Sequence, residues 1–209
     1  PALLAGLIEL SALLPGAITL CIWLGYSSAQ NFLTTCGEAR GIGSVSLYFT
    51  VCSGMMIVTR LFAGKVTKIL GNAVLMIVPM VVIAYSVVIS MVLVAFAQSF
   101  SALIAAAVLY GLGNGFVQPI LQALVFQLCA PGRRGAANAT FGLMQDVGSG
   151  SGAAIWGGVT SGLGYTVTYL AAAGCIAVGG AIHLTALWPK LRRQQAAKPL
   201  TEATEAEES

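Results

Sequence analysis

The run ILGNAVLMIVPMVVIAYSVVISMVLVAFAQSFSALIAAAVLYGLGNGFVQPILQALVFQLCAPG, residues 69–132, holds no charged residue. A charge near the centre of a bilayer is costly, so charges mark where a chain leaves the hydrocarbon. At about 1.5 Å per helical residue, this run is far longer than one crossing of a core about 30 Å thick. It has to hold two spans, and the polar break Gln98, Ser99, Phe100, Ser101 is the turn between them.

The same rule extends to both sides of the run. The remaining charges bunch at Glu9, at Glu38 and Arg40, from Arg60 through Lys65 to Lys68, at Arg133 and Arg134, at Asp146 alone, and from Lys190 onward. Of the 209 residues, 57% are hydrophobic and 8% are charged, with a mean hydropathy of +0.89. Ordinary globular domains carry about 25% charged residues, so a soluble globule is excluded. A net charge of +3, scattered among apolar runs, does not make a nucleic-acid-binding surface, and no nucleic-acid partner is expected.

These breaks predict an all-α membrane protein, a six-helix transmembrane bundle over residues 15–189, with spans at 15–35, 44–62, 73–97, 101–129, 136–160 and 165–188. A barrel is excluded because the apolar runs are continuous rather than alternating. Residues 1–14 read as a cytoplasmic or interfacial lead-in, and 190–209 as a solvated tail without apolar periodicity. The chain opens on Pro1, and the stretch around Glu9 lacks the basic region of a signal peptide, so a cut N-terminus is expected. Nine of the ten basic residues fall on the side of the termini and Arg40 alone on the other. By the positive-inside rule both termini are cytoplasmic.

Several residue classes carry no chemistry at this level. The five cysteines show no metal or redox spacing and read as small apolar residues, and His183 has no second ligand nearby, so neither a metal nor a cofactor is expected. The sequon at Asn138 sits at the cytoplasmic start of a span and is disregarded. No histidine cluster, serine–base pair or carboxylate dyad is present, and an enzyme is not expected. The glycines at 111, 113, 115, 148, 150 and 152 have no strand-and-loop context for phosphate binding. The pairs Gly111/Gly115 and Gly148/Gly152 have the small-xxx-small spacing of close helix packing; bending at such sites is the other reading.

Polar residues inside the spans narrow the function. Asn114, Gln118 and Gln122 share one face of the fourth helix, and Tyr26 and Gln30 one face of the first. Such stripes serve either as interhelical hydrogen bonds or as the wall of a solute cavity, and two stripes on separate helices favour the wall. Asp146 is the one acid deep in a span. It reads first as a structural carboxylate, with a protonation switch or a counter-ion for a cationic solute as alternatives.

The run Arg60-Leu-Phe-Ala-Gly64-Lys-Val-Thr-Lys68-Ile-Leu-Gly71 resembles the arginine and glycine loop signature of the major facilitator superfamily. The run Gly111-Leu-Gly-Asn-Gly-Phe-Val-Gln-Pro119, followed by Arg134-Gly-Ala and Asp146-Val-Gly148, is similar to later helices of its bacterial drug and sugar efflux branches. The loop departs from the family in carrying Lys68 where an aspartate is usual, which argues against an acid-dependent relay there.

The resemblance implies a twelve-helix transporter of which this chain is the C-terminal six-helix half, with the N-terminal half as its missing partner. It implies that the first and fourth spans, with Tyr26, Gln30, Asn114 and Gln118, wall a solute cavity. Arg60 and Asp146 would then belong to the interface between halves, and Arg60, Gly64, Lys68 and Gly71 to a cytoplasmic gating loop. The expected function is secondary active transport of a small organic solute by alternating access in a bacterial inner membrane; efflux is the direction of the branches it resembles, and the residues themselves leave import or export open. The alternative is a self-contained six-helix channel or another integral membrane protein.

Overall fold

The computed structural model describes residues 9–69, 73–187 and 189, with side chains for all of these but 10–11, 63–69, 73–84 and 131. The described residues form long helices: α1 (Leu10–Ala39), α2 (Ser46–Ile69), α3 (Ala73–Phe96), α4 (Phe100–Leu128) and α5 (Arg134–Ile182). A short 3-10 turn, Pro131–Arg133, precedes α5, and a π turn, His183–Leu187, follows it. Among the described residues, Ala12–Ala39, Phe100–Leu128 and Arg134–Leu187 are long and apolar enough to cross a membrane, and Ser46–Phe62 and Tyr85–Phe96 are shorter apolar helices.

α5 has 49 residues and would measure about 74 Å if straight. It is broken at Gly164, whose φ of 81° and ψ of 171° suit glycine and no residue with a Cβ. The break falls in the run Ser161-Gly-Leu-Gly164 that the sequence marks as a turn. It divides α5 into a first limb, 134–163, and a second limb, 165–182. Thr160 and Thr168 hydroxyls meet across the break at 3.0 Å.

Glycine contacts give the direction of each limb. On the first limb, Gly148 lies against Leu20 and Leu24, and Gly152 against Leu24 and Ser27, so this limb runs parallel to α1. On the second limb, Gly179 lies against Ile18 and Cys21, and Ile176 against Gly25, so it runs antiparallel. α2 and α4 are parallel by the same test, Gly111 meeting Cys52 and Met55, and Gly115 meeting Met56 and Thr59. A Cβ at Gly148 would stand 2.7 Å from the Leu20 carbonyl oxygen, and one at Gly111 2.6 Å from that of Cys52. Both small-xxx-small pairs are thus sites of backbone approach, as the packing reading of the sequence expected.

The ends of the helices are closed by specific groups. α1 stops in a Schellman motif: Gly41, at φ 69°, donates to the Glu38 carbonyl at 3.0 Å, and Ile42 donates to Gly37 at 2.8 Å. Arg40, beside it, reaches the C-terminus of α3. Its Nη1 donates to the Val94 and Ala97 carbonyls at 2.9 Å each, and its Nη2 to Ala95 at 2.8 Å and to Thr166 Oγ1 at 3.2 Å. At the opposite end Glu9 pairs with Arg133 at 2.5 Å, and its backbone N–H donates to Thr140 Oγ1.

Two boundaries differ from the sequence expectation. α1 begins at Leu10, inside the stretch 1–14 read as a lead-in, and carries Pro15 within it. α2 continues to Ile69, past the expected end at 62, so Gly64 and Lys68 lie on a helix rather than in a loop. Charges mark the membrane edge, not the end of a helix. A basic residue near a helix C-terminus complements the helix dipole, so a charge there does not end the helix.

A candidate solute site on α1, α4 and α5

Residues on three helices meet in one strip. Trp23 and Tyr26 lie one turn apart on α1 and pack edge to face, centroids 5.6 Å apart. Tyr26 stacks on Tyr110 of α4 at 4.5 Å with the rings 16° from parallel. The Trp23 indole N–H donates to Gln118 Oε1 at 3.3 Å, and Gln118 Nε2 donates to Gln145 Oε1 on the first limb at 2.7 Å. The strip therefore has an aromatic end and an amide end, and none of these side chains carries a formal charge.

Asn114 sits one turn from both Tyr110 and Gln118 and is 1% exposed. Its Oδ1 and the Tyr110 hydroxyl have no hydrogen-bond partner among the described residues. Buried polar atoms are ordinarily paired, so these two are exceptions, as are the hydroxyls of Thr19, Tyr48 and Tyr169. Further along the same face Gln122 Nε2 donates to Asn138 Oδ1 at 3.0 Å. The three-residue stripe of α4 is thus divided, with Gln118 and Gln122 bridging to α5 and Asn114 retaining an unused oxygen.

The other expected residues are placed separately. Gln30 is exposed on α1 one turn beyond Tyr26, beside Asn31, whose amide donates to the Ser27 carbonyl at 2.8 Å. Asp146 is exposed on the first limb, and its carboxylate makes no hydrogen bond or ion pair among the described residues. It lies on the side of the limb away from Gly148 and Gly152, where Gly150 is also exposed. A carboxylate satisfied by helix donors within this chain, the first of the sequence readings, has no support in this placement. Arg60 is exposed on α2. Gly64 and Lys68 belong to α2 by backbone alone, and Gly71 lies outside the described residues.

Sequence reasoning missed Trp23, Tyr110 and Gln145. The first two were within reach: Trp23 precedes Tyr26 by three residues and Tyr110 precedes Asn114 by four, so the spacing that found the amides finds the rings when aromatics are included. Gln145 stands next to Asp146 yet points about 100° away around the helix, and is half-buried where Asp146 is exposed. Only the packing of the first limb against α1 and α4 separates the two.

An uncharged strip of rings and amides can hold an organic molecule of mixed polarity, with stacking on the rings and directed hydrogen bonds at the amide end. The strip holds no carboxylate, histidine, lysine or cysteine, so its polar atoms are those of amides, an indole and two phenols. Among the described residues no group of three or more His, Cys, Asp or Glu side chains is placed to hold a metal ion.

No curated protein matches the chain. The family model of the Major Facilitator Superfamily matches residues 13–207, which takes in α2 to α5, all but the first turn of α1, and the run from Arg60. On that match the long apolar helices and their uncharged strip are parts of a multi-pass membrane transporter, and the chain belongs to the Major Facilitator Superfamily.

Proposed function

We propose that the chain is one six-helix half of a secondary transporter, which moves a small neutral organic solute by alternating access between two such halves. The observation that carries this is the strip of Trp23, Tyr26, Tyr110, Gln118 and Gln145, which joins α1, α4 and α5 without any charge. In this reading Gln118 and the exposed Gln30 offer amides to the solute, Tyr26 offers its ring, and Asn114 supplies the unused oxygen behind them. The glutamine already bonded to Trp23 and Gln145 is pre-oriented, and solute replaces one of those bonds.

The faces bearing Arg60 and Asp146 are open in this half, and we assign them to contact with the N-terminal half. A lone acid beside exposed glycine is stable in a membrane only when a second protein surface or water covers it. The even number of alternating limbs, together with the basic bias, supports six spans with both termini in the cytoplasm. The likeness of residues 111–119 to drug and sugar efflux branches supports export across a bacterial inner membrane.

The test is Gln118→Ala in the full-length protein in proteoliposomes, assayed against a panel of neutral sugars and amphiphilic drugs. Loss of one hydrogen bond in a desolvated cavity is worth about 1 to 3 kcal/mol, so apparent affinity falls about five-fold to more than a hundred-fold. If every transported solute kept its wild-type affinity, the strip would be an interhelical lock and not a binding site.

A further inference from the structure

A pocket of about 130 Å³ lies among α1, α3, α4 and the second limb, and it shares no lining residue with the uncharged strip. Its walls are aliphatic, formed by Ile18, Ile22, Val88, Val117 and Ile176. Tyr85 and Leu184, also in the lining, are 56% and 40% exposed. Two side chains of the lining carry polar atoms, Tyr85, which is exposed, and His183, which is buried. His183, the first residue of the π turn, is 4% exposed, and neither ring nitrogen has a hydrogen-bond partner among the described residues.

This combination is not what packing alone produces. An imidazole buried without partners costs free energy that an aliphatic side chain at the same place does not. Single π turns within helices recur at functional sites, because the inserted residue redirects a side chain. A neutral imidazole carries one donor and one acceptor nitrogen, and a hydroxyl group can meet either. As for size, aliphatic cavities of about 150 Å³ accept a benzene ring.

We propose that this pocket binds a ring-sized apolar molecule bearing one hydroxyl, of the phenol class, with the ring among the aliphatic walls and the hydroxyl on His183. A long acyl chain exceeds the volume, and a charged ligand meets no counter-charge in the walls. The site is separate from the solute path and stands whether or not the strip binds solute.

The experiment measures 4-fluorophenol binding by fluorine NMR to the protein in lipid nanodiscs, with empty nanodiscs as the partitioning control. Saturable binding above the control is expected, displaced by phenol. Fluorobenzene, which lacks the hydroxyl, should bind more than about five-fold more weakly. Gly180 lines the pocket and a Cβ there meets nothing within 4 Å, so Gly180→Leu fills the space without moving backbone and should abolish binding. His183→Phe should remove the preference for 4-fluorophenol over fluorobenzene. No binding above empty nanodiscs, which would mean a pocket holding only water, overturns the proposal, as does equal affinity for the two probes. The comparison of probes needs no variant and decides the matter even if His183→Phe does not fold.

Discussion

Replacing Arg40 by alanine tests the joint that holds α1, α3 and the second limb of α5 together at one end of the bundle. Both terminal nitrogens of the guanidinium make two bonds, three to the closing carbonyls of α3 at 2.8–2.9 Å and one to Thr166 at 3.2 Å. Val94, Ala95 and Ala97 are 1–2% exposed, so water does not readily take the place of the lost donors. Hydrogen bonds from charged groups contribute about 1.5–3 kcal/mol each. Four on one side chain are not additive, and a loss of about 3 kcal/mol is the lower end of the expectation. For a bundle of this size that corresponds to a fall in melting temperature of roughly 6–12 °C. Arg40→Lys keeps the charge but has one nitrogen and cannot fork between the carbonyls, so it should recover part of the loss only. Melting of the purified protein in detergent, followed by a thiol-reactive dye on the cysteines as they become exposed, gives the readout. An Arg40→Ala protein that melts with the wild type would refute the assignment of Arg40 as the cap of α3.

Three further outcomes follow from the packing. Gly152→Ala places a methyl group into the Ser27 side chain and should destabilise the protein by about 1–3 kcal/mol, whereas Gly150→Ala, with open space around it, should leave melting unchanged. Asp146→Asn should also leave melting nearly unchanged, because the carboxylate has no partner within this chain, while solute accumulation falls; a drop of several degrees would place it in the packing instead. A cysteine at Gly43 should react with a membrane-impermeant maleimide added to intact cells and one at Gly132 should not. Both positions are exposed and open, so equal labelling would count against six spans.

The helices were legible in the sequence because membrane physics writes them in charge spacing. Charge spacing marks the stretches 69–132 and 147–189 as too long for one crossing, the polar run Gln98–Ser101 and the glycine-rich run Ser161–Gly164 mark the turns inside them, and the structure ends or breaks a helix at each. What the spacing does not encode is how far a helix extends beyond the hydrocarbon, hence the later end of α2. The site was legible in part. Period-four reasoning found Asn114 and Gln118 but grouped Gln30 with Tyr26, although the first is exposed and the second is stacked under Tyr110. Residues four apart differ by about 40° around a helix, and that difference decides burial at the margin of a face. Arg40 was read as the one exception to the charge bias, whereas it closes a helix end; a loop charge and a cap are the same letter until the partner carbonyls are known.

The clasp of α1 by both limbs of α5 also bears on how the protein is made. The bond from the Trp156 indole to the Leu24 carbonyl, 2.6 Å long, joins residues 132 positions apart, and the contacts of Gly25 and Gly179 reach further still. A chain synthesised from its N-terminus must therefore hold α1 in the membrane until both limbs of α5 have been inserted. Part of the polar load of α1 is already met within the helix, since Ser27 and Ser28 donate to the Leu24 and Gly25 carbonyls, while the Thr19 hydroxyl has no partner among the described residues. The face of α1 around Ile18, Leu20, Leu24 and Ser27 stays vacant through that interval, until the two limbs of α5 are inserted and fill it.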